Sequence, residues 1–409
     1  MLQLSKIADL DIQLIDGDRG ENYPSRDEFY ENEYCLFLDA NNITSNGFDF
    51  STTHFITKEK DSKLRNGKLQ RNDIVIMTRG SVGNIAFYDN SIMYSNIRIN
   101  SGMLIIRCGK SISPLNVYYQ FKSPIVLKQI NDFMSGSVQK QLPVSILKEI
   151  KIFTCSKNNA NFLKLIDDKI ALNNKTNTEL ENMAKTIYDY WFSQFDFPDK
   201  NSHPYKTSGG QMVYNEILKR EIPAGWEVGK LSDIAEFSTE TTNTENIQNY
   251  ITTDNILPNK QGITKAEYIP AYGNVLRYEE YDILIANIRP YFKKIWLSNT
   301  NGMCSNDVLC IKAKNSAYKF FLYRLLWRDD FFDYVLKGAK GSKMPRGDKN
   351  HIMAMPIVFP NNEDIIESFD TFFTPLQNQI WKNQKEAEEL TKLRDYLLPL
   401  LMNGQIEVK

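Results

Sequence analysis

The stretch LKLIDDKIALNNKTNTELENMAKTIYDYW, residues 163–191, determines how this chain is built. At alternating steps of three and four residues it places mainly apolar side chains on one side of a helix, with no proline or glycine inside. The pattern returns 210 residues later, at 373–401. We therefore predict two long helices of matched length that pack along a heptad seam. The predicted seam residues are Leu163, Ile166, Ile170, Asn173, Asn177, Leu180, Ile187, Trp191, Phe373, Leu376, Ile380, Asn383, Ala387, Leu390, Leu397 and Leu401.

Asparagine occupies the fourth position of both seams, at Asn173 and Asn383. A buried asparagine costs stability but fixes the register of two helices, which is the role we expect here. The alternative is that the seam opens there to another subunit or to water. Arg394 also occupies a seam position, which indicates that the pairing loosens or turns outward toward that end of the second helix.

The repeat extends beyond the helices. Residues 230–235 match 4–8, residues 281–285 match 72–76, and short apolar segments at 150–153 and 357–360 precede the two helices. Residues 116–133 have helical spacing in the first copy. We predict an α+β fold with an internal pseudo-two-fold repeat. Its predicted parts are a first module at 1–155, a long helix at 156–197, a linker at 198–222, a second module at 223–360 and a second long helix at 361–409.

Composition places the chain among globular proteins with more than one domain. It has 409 residues, of which 42% are hydrophobic and 24% charged. The sequence contains no run of 18 apolar residues, which a membrane-spanning helix would need. Its first residues lack the pattern of a signal peptide. The five cysteines form no CxxC pair, and the three histidines are scattered. We expect a reducing cytoplasm, without structural disulfides or a metal site.

The net charge of −1 is not typical of a general nucleic-acid binder, but positive charge is concentrated locally. Residues 58–71 hold six basic and two acidic side chains, and residues 337–349 hold five basic side chains and one acidic. Such clusters suit contacts with phosphates, which position a protein on DNA without specifying sequence. The alternative interpretation is an ordinary solvated surface.

Motifs of catalysis are missing from the sequence. It contains no phosphate-binding GxxxxGK[ST], no GxGxxG, no GxSxG and no Pro-Pro pair such as amino-methyltransferases use. Residues 149–151 and 407–409 have the acid-x-Lys form of some nuclease sites, but such triplets arise often by chance in a chain this rich in charge. We therefore predict a chain that is not an enzyme and binds no cofactor or metal itself.

Polar loops offer candidate DNA contacts instead. Glutamine can bond adenine, and arginine guanine, in bidentate fashion, at about 1–3 kcal/mol of base discrimination each; incidental loop polarity is the alternative. The candidates are Lys63, Arg65, Lys68, Arg79, Ser81, Arg98, Asn100, Gln139, Lys140, Gln141, Arg289, Tyr291, Lys293, Lys294, Lys343 and Arg346.

The helix length matches a feature of DNA. At about 1.5 Å per residue the seam from Leu163 to Trp191 spans roughly 42 Å, and one turn of B-DNA is about 34–36 Å. Antiparallel helices of this length would place two DNA-reading modules on sites about one turn apart. The chain would then imitate a dimeric DNA-binding protein.

The sequence resembles the specificity subunits of type I restriction–modification systems over nearly its whole length. The resemblance rests on the repeated module–helix order together with several motifs. These are Gly17-Asp-Arg-Gly20 (which adds Arg19 to the DNA candidates), Tyr23-Pro24, Trp191-Phe-Ser-Gln-Phe-Asp-Phe-Pro198, Ser208-Gly-Gly210, Ile222-Pro-Ala-Gly-Trp226 and Leu393-Arg-Asp-Tyr-Leu-Leu-Pro-Leu-Leu-Met-Asn-Gly404.

This resemblance implies that each module is a target recognition domain and that the helices form an antiparallel coiled coil, which sets the unread spacer of a bipartite double-stranded DNA target. Two modification subunits would bind the chain and carry S-adenosylmethionine and adenine methylation, with the target adenine flipped into them. Restriction subunits would join and use ATP and magnesium. No reaction is implied for this subunit.

Two other classes of function remain open. One is a self-contained restriction or methylation enzyme with fused recognition domains, which methylation by the purified chain alone would reveal. The other is a protein–protein scaffold without a DNA role. Salt-dependent binding of bipartite DNA would distinguish a DNA reader from such a scaffold.

Overall fold

The computed structural model describes residues 4–134, 141–154, 156–243, 249–271 and 273–409. The chain divides into two compact units, Met1–Leu172 with Glu386–Lys409 and Asn173–Lys385. The first unit includes the C-terminal segment because Leu401 and Met402 lie in the same apolar core as Leu163. The first unit is therefore built from two separate stretches of sequence, whereas the second is one continuous stretch.

The first unit contains a mixed module of strands and short helices. A four-stranded sheet has the order β2-β10-β7-β8 with antiparallel neighbours, and a smaller sheet has the order β6-β3-β9 with β3 and β9 parallel. The elements are β1 Leu4–Lys6, β2 Ile12–Asp16, β3 Cys35–Phe37, β4 Ile43–Thr44, β5 Gly47–Phe48, β6 Phe55–Ile56, α1 Lys58–Lys63, β7 Ile74–Met77, β8 Ile85–Phe87, β9 Ile97–Arg98, β10 Met103–Cys108, α2 Pro114–Lys122, α3 Pro124–Met134, α4 Val144–Glu149 and β11 Lys151–Phe153.

The central strand β7 is apolar throughout because both of its faces are buried. Ile74 and Ile76 pack with the helices in one core, whereas Val75 and Met77 pack with the smaller sheet in another. Successive side chains of a strand point to opposite faces, so a strand between two layers is a continuous apolar run. The four-stranded sheet is thus a central layer between two apolar cores, and its loops emerge at its edges.

The second unit repeats this topology. One of its two four-stranded sheets has the equivalent order β15-β22-β19-β20. In the other, of order β16-β18-β21-β17, β17 and β21 are parallel as β3 and β9 are. The elements that follow the first module are α5 Lys157–Tyr188, β12 Met212–Asn215, β13 Arg220–Pro223, β14 Trp226–Lys230, α6 Leu231–Ile234, β15 Ala235–Phe237, β16 Thr241–Asn243, β17 Tyr250–Ile251, β18 Asn274–Tyr278, β19 Ile283–Ala286, β20 Ile295–Leu297, β21 Gly302–Cys304, β22 Val308–Ala313, α7 Lys319–Trp327, α8 Asp329–Lys337, α9 Lys349–Met353, β23 Pro356–Pro360 and α10 Glu363–Met402.

The long helices α5 and α10 supply segments to both units, and in each unit these segments are antiparallel. In the first unit, Asn159 donates its amide to the Leu401 carbonyl at 2.9 Å, and Lys169 pairs with Glu386 at 3.2 Å. In the second unit, early residues of α10 face late residues of α5, as the aromatic contact between Tyr188 and Phe369 shows. The fold is therefore α+β with an internal repeat.

Every predicted seam residue is buried or half-buried. Asn383 donates to the amide oxygen of Asn177 at 2.8 Å, and Asn177 donates to the Ile380 carbonyl at 3.2 Å. Asn173 reaches the Asn383 carbonyl at 3.5 Å. The asparagines thus bond one another and the facing backbone. The coiled-coil geometry of the helices stays a prediction.

Two local predictions need revision. The predicted single helix over 116–133 is two helices, α2 and α3, which part at Ser123. Proline disfavours the helical conformation in the residue before it, and Pro124 leaves Ser123 extended at ψ 147°. The predicted linker contains the hairpin β12–β13. Within the described ranges, no helix has both the length and the apolar character needed to cross a membrane.

Candidate nucleic-acid interface

One edge of the four-stranded sheet gathers three loops in the first module. Thr78, directly after β7, donates its N–H and its hydroxyl to the Gly102 carbonyl at 2.8 and 2.9 Å. The N–H of Leu142 donates to the Thr78 carbonyl at 3.0 Å. The loop after β7, the loop before β10 and the segment that begins at Gln141 therefore meet at one place.

A shallow cleft opens at this edge, and Tyr23, Arg79, Asn100 and Ser101 contribute to its lining. Arg19 joins the edge by donating to the Ser101 carbonyl at 3.3 Å. Arg19 and Arg79 are exposed and Asn100 is half-buried. The structure thus brings together two guanidinium groups and an amide, which can hydrogen-bond to base edges or to phosphates.

Arg98 is not part of this surface, which corrects its place among the candidates. Its side chain is buried, and its guanidinium donates to the Asp61 carboxylate at 2.5 Å and to the carbonyls of Asp61, Leu64 and Asn66. Burial alone would raise the pKa of Asp61, but hydrogen bonds from Lys68 and Arg98 hold the pKa below its ordinary value. Arg98 is therefore an internal brace of the first module.

Carboxylates also engage most of the basic segment 58–71. Lys68 lies 2.5 Å from Asp61, and Lys63 lies 2.6 Å from Glu59 one turn away. Arg65 differs, because its side chain is 74% exposed and lies 3.5 Å from Asp18, at the outer limit of an ion pair. Of these three cations, Arg65 is therefore the most accessible to a phosphate.

The second module builds an equivalent edge from similar backbone bonds. The N–H of Asn287, directly after β19, donates to the Asp307 carbonyl at 3.0 Å, as Thr78 does to Gly102. The N–H of Arg289 donates to the Pro345 carbonyl at 2.8 Å. The loop after β19, the loop before β22 and the loop that contains Pro345 therefore meet here too.

Arg346 is the most prominent guanidinium at this second edge. Its backbone pairs with Lys340 through two hydrogen bonds of 2.9 Å, and its side chain is 56% exposed and lies 3.2 Å from the Asp307 carboxylate. A hydrogen bond from Lys340 lowers the pKa of Asp348 to about 2. The Lys340–Asp348 ion pair therefore persists at neutral pH. Lys343, between the paired residues, is exposed. The loop is thus a braced turn that presents cations outward.

The other candidates of the second module divide between internal and surface roles. The Lys294 ammonium donates to the Thr253 carbonyl at 2.6 Å, and the Lys293 ammonium lies 3.1 Å from Asp329. Arg289 is half-buried at the base of its loop, whereas Tyr291 is exposed. Lys294 therefore acts within the protein, and Tyr291 is available to a partner.

Four candidates of the first module remain to be placed: Gln139, Lys140, Gln141 and Ser81. Gln139 and Lys140 lie outside the described residues. Gln141 is exposed directly before Leu142, which places it at the sheet edge. Ser81 is exposed in the loop after β7. The assignment of these residues to DNA contacts stays a prediction.

Sequence reasoning missed the carboxylates that restrain the cations, and it missed one apolar residue. Asp61 and Asp307 lie far in sequence from the arginines they hold, and Phe292 lies exposed beside Tyr291. A signal existed for Asp307, because the internal repeat places it directly before β22, as Gly102 lies before β10. Asp61 offered no comparable signal.

Comparisons with known proteins give a consistent picture. The family model for the type I restriction modification DNA specificity domain matches residues 11–182. The type I restriction enzyme MjaIX specificity subunit of Methanocaldococcus jannaschii is 26% identical over 358 residues, which cover 82% of this chain and 78% of that protein. The HindI specificity subunit of Haemophilus influenzae is 20% identical over 467 aligned positions, which cover 95% of this chain and 98% of that protein.

A solved structure supports the fold. The type I restriction–modification system S subunit from M. genitalium superposes with a TM-score of 0.61 at 14% identity, over 100% of this chain and 97% of that one. At this identity the likeness establishes the architecture alone.

Proposed function

We propose that this chain, which is similar to type I restriction–modification specificity subunits, is such a subunit and reads a bipartite double-stranded DNA target, with one module on each half-site. The family is non-catalytic, and the catalytic activities belong to partner subunits. The chain would select the sequence and serve as the platform on which modification and restriction subunits assemble.

The observation that carries this proposal is that each module has a sheet edge of equivalent construction. In each module a residue directly after the central strand bonds the residue directly before its neighbouring strand, and a later loop bonds back to the same place. The exposed side chains of these edges differ: Arg79 and Gln141 in one, Arg346 and Lys343 in the other. A common frame with different donors suits two modules that read different bases.

The long helices supply the separation that a bipartite target needs. Their antiparallel segments are held by asparagine bonds in the second unit and by the Lys169–Glu386 pair in the first. Helices of this length rise by roughly 42 Å along their seam, slightly more than one turn of B-DNA. We assign S-adenosylmethionine, ATP and magnesium to the partner subunits, two of which would be modification subunits.

Binding of DNA by the full chain with its modification subunits tests the proposal. The probe is a labelled duplex that carries the adenine-methylated motif of the host genome, and the control duplex carries the same bases in scrambled order. We expect tighter binding of the motif, and a loss of about 10³–10⁵-fold between 50 and 200 mM salt if six to ten phosphates are contacted. Equal affinity for both duplexes, or affinity independent of salt, would contradict it.

A further inference from the structure

A pair of aromatic side chains projects from the sheet edge of the second module. Pro290, Tyr291 and Phe292 form one 3₁₀ turn after β19. Pro290 is buried, whereas Tyr291 and Phe292 are 47% and 40% exposed, and their ring centroids lie 4.7 Å apart. Large apolar side chains that protrude together from a braced loop indicate a binding role rather than a core role.

The backbone on both sides of this turn is strained. Arg289 and Lys293 have φ of 54° and 51°, in the left-handed region that residues other than glycine seldom occupy. Such strain persists only where the surroundings enforce it, and it is concentrated at functional sites. The turn is therefore held in one conformation at a cost in stability.

Several contacts enforce that conformation. Arg289 donates its N–H to Pro345 at 2.8 Å, and Lys293 accepts the N–H of Lys260 at 3.0 Å. The side chains of Lys260 and Lys293 both reach Asp329, at 2.6 and 3.1 Å. Because these bonds tie both ends of the turn to the module, the aromatic pair is positioned before any partner arrives.

The surroundings of the pair carry positive charge. The loop that bonds Arg289 also presents the exposed cations Lys343 and Arg346. An apolar tip flanked by cations fits DNA, because the cations attract phosphates while the apolar groups enter between bases. A protein partner would not require this charge.

The first module has a different tip at the equivalent position. Its loop after β7 contains Gly80 and Gly83, at φ of 71° and 91°, and presents Ser81. Glycine adopts these angles without strain. The aromatic tip is thus a feature of the second module and not of the shared frame.

We propose that Tyr291 and Phe292 form a wedge that unstacks one base step in the half-site read by the second module. This inference rests on the proposed function and adds to it a deformation of the target. Inserted apolar side chains unstack and kink DNA, and the energy of doing so depends on the sequence of the step. The wedge would therefore favour flexible pyrimidine–purine steps at that position.

Fluorescence of 2-aminopurine tests the wedge. The full chain with its modification subunits is mixed with duplexes that carry the host motif and one 2-aminopurine at successive positions of this half-site, omitting the methylated adenine. We expect a several-fold rise at one step on binding, and loss of that rise in the double variant Tyr291→Ala, Phe292→Ala. The affinity of this variant should fall by about 5- to 150-fold, as for the loss of a base–aromatic contact.

Tyr268→Ala is the matched control, because Tyr268 is a 71% exposed aromatic residue of the same module outside this turn. It should leave both the fluorescence rise and the affinity unchanged.

Binding of the wild-type complex without a rise at any position, or a rise that persists in the double variant, would overturn the wedge alone. Failure of the double variant to assemble with the modification subunits would overturn the wedge and assign the pair to a protein contact instead. Absence of motif-specific binding by the wild-type complex would overturn the proposed function as well.

Discussion

Arg346 shows how a surface guanidinium can be exposed and still be held in a fixed position. Its backbone is fixed by two hydrogen bonds to Lys340, and Asp307 holds its side chain at 3.2 Å. A bidentate contact with guanine needs such a fixed fork, because a flexible side chain loses entropy when it binds. If Arg346 reads a base as proposed, Asp307 would position its guanidinium without touching the base itself.

Substitution of Arg346 by alanine should relax base choice in one half-site. We expect the preference at a single base pair to fall by about 5- to 150-fold, the equivalent of about 1–3 kcal/mol. Selection of bound duplexes from a library with randomised half-sites measures this preference.

Arg277→Ala is the control, since Arg277 is a comparably exposed arginine of the same module that also faces a carboxylate, at 3.6 Å from Glu279. It should leave base choice unchanged. An equal loss of preference in both half-sites for Arg346→Ala would count against a reading role.

Arg98 should behave in the opposite way, as a determinant of stability. Its removal leaves the Asp61 carboxylate buried beside a single remaining cation, Lys68. Breaking a buried ion pair costs about 3–5 kcal/mol, so Arg98→Ala should lower the melting temperature of the full chain markedly. Arg65→Ala removes a largely exposed guanidinium, while Asp18 keeps the backbone N–H donors of Gly20 and residue 65, so it should lower the melting temperature little. A small effect of Arg98→Ala in calorimetry would refute the brace.

At the scale of elements, the proposed function gives the length of α5 and α10 a specific role, which is to set the separation of the two half-sites. Asn173 and Asn383 face each other in the second unit, so they mark matched points on the two helices. Each residue of a helix adds about 1.5 Å. One heptad adds about 10 Å, or about three base pairs of B-DNA, and rotates an ideal helix by only about 20°.

Insertion of one heptad directly after Asn173 and another directly before Asn383 should keep the helices paired. The unread spacer of the DNA target should then lengthen by about three base pairs. Insertion into α5 alone should disrupt the pairing and abolish specific binding, because on one side of the insertion α5 is then shifted by seven residues against α10. An unchanged spacer in the double insertion would exclude the helices as its determinant.

The elements followed from the sequence wherever a periodic pattern was strong. The heptads of α5 and α10 and the apolar runs of β7 and β19 needed no knowledge of distant residues. The loops did not follow, because their conformations depend on partners elsewhere. Nothing local predicts that Arg98 is braced by Asp61, which lies 37 residues away, or that Arg289 adopts a left-handed backbone.

At the scale of the molecule, a single chain presents two versions of one recognition frame. The strand order β2-β10-β7-β8 of the first module agrees with β15-β22-β19-β20 of the second, while the exposed side chains at the equivalent edges of these sheets differ. The frame is predictable from the internal repeat, since the scaffold segments match in sequence. Under the proposed function, the bases that each edge reads would depend on loop side chains, which differ between the two copies of the repeat.

A map of methylated adenines tests the central claim, that this chain reads two half-sites at a fixed separation. The chain and its modification subunits would be expressed together in cells that lack other adenine methyltransferases, and the genome sequenced with detection of modified bases. We predict methylation in one motif with two specific parts separated by a constant number of unread base pairs. A single uninterrupted motif, a spacer of variable length, or methylation that continues without this chain would contradict the account.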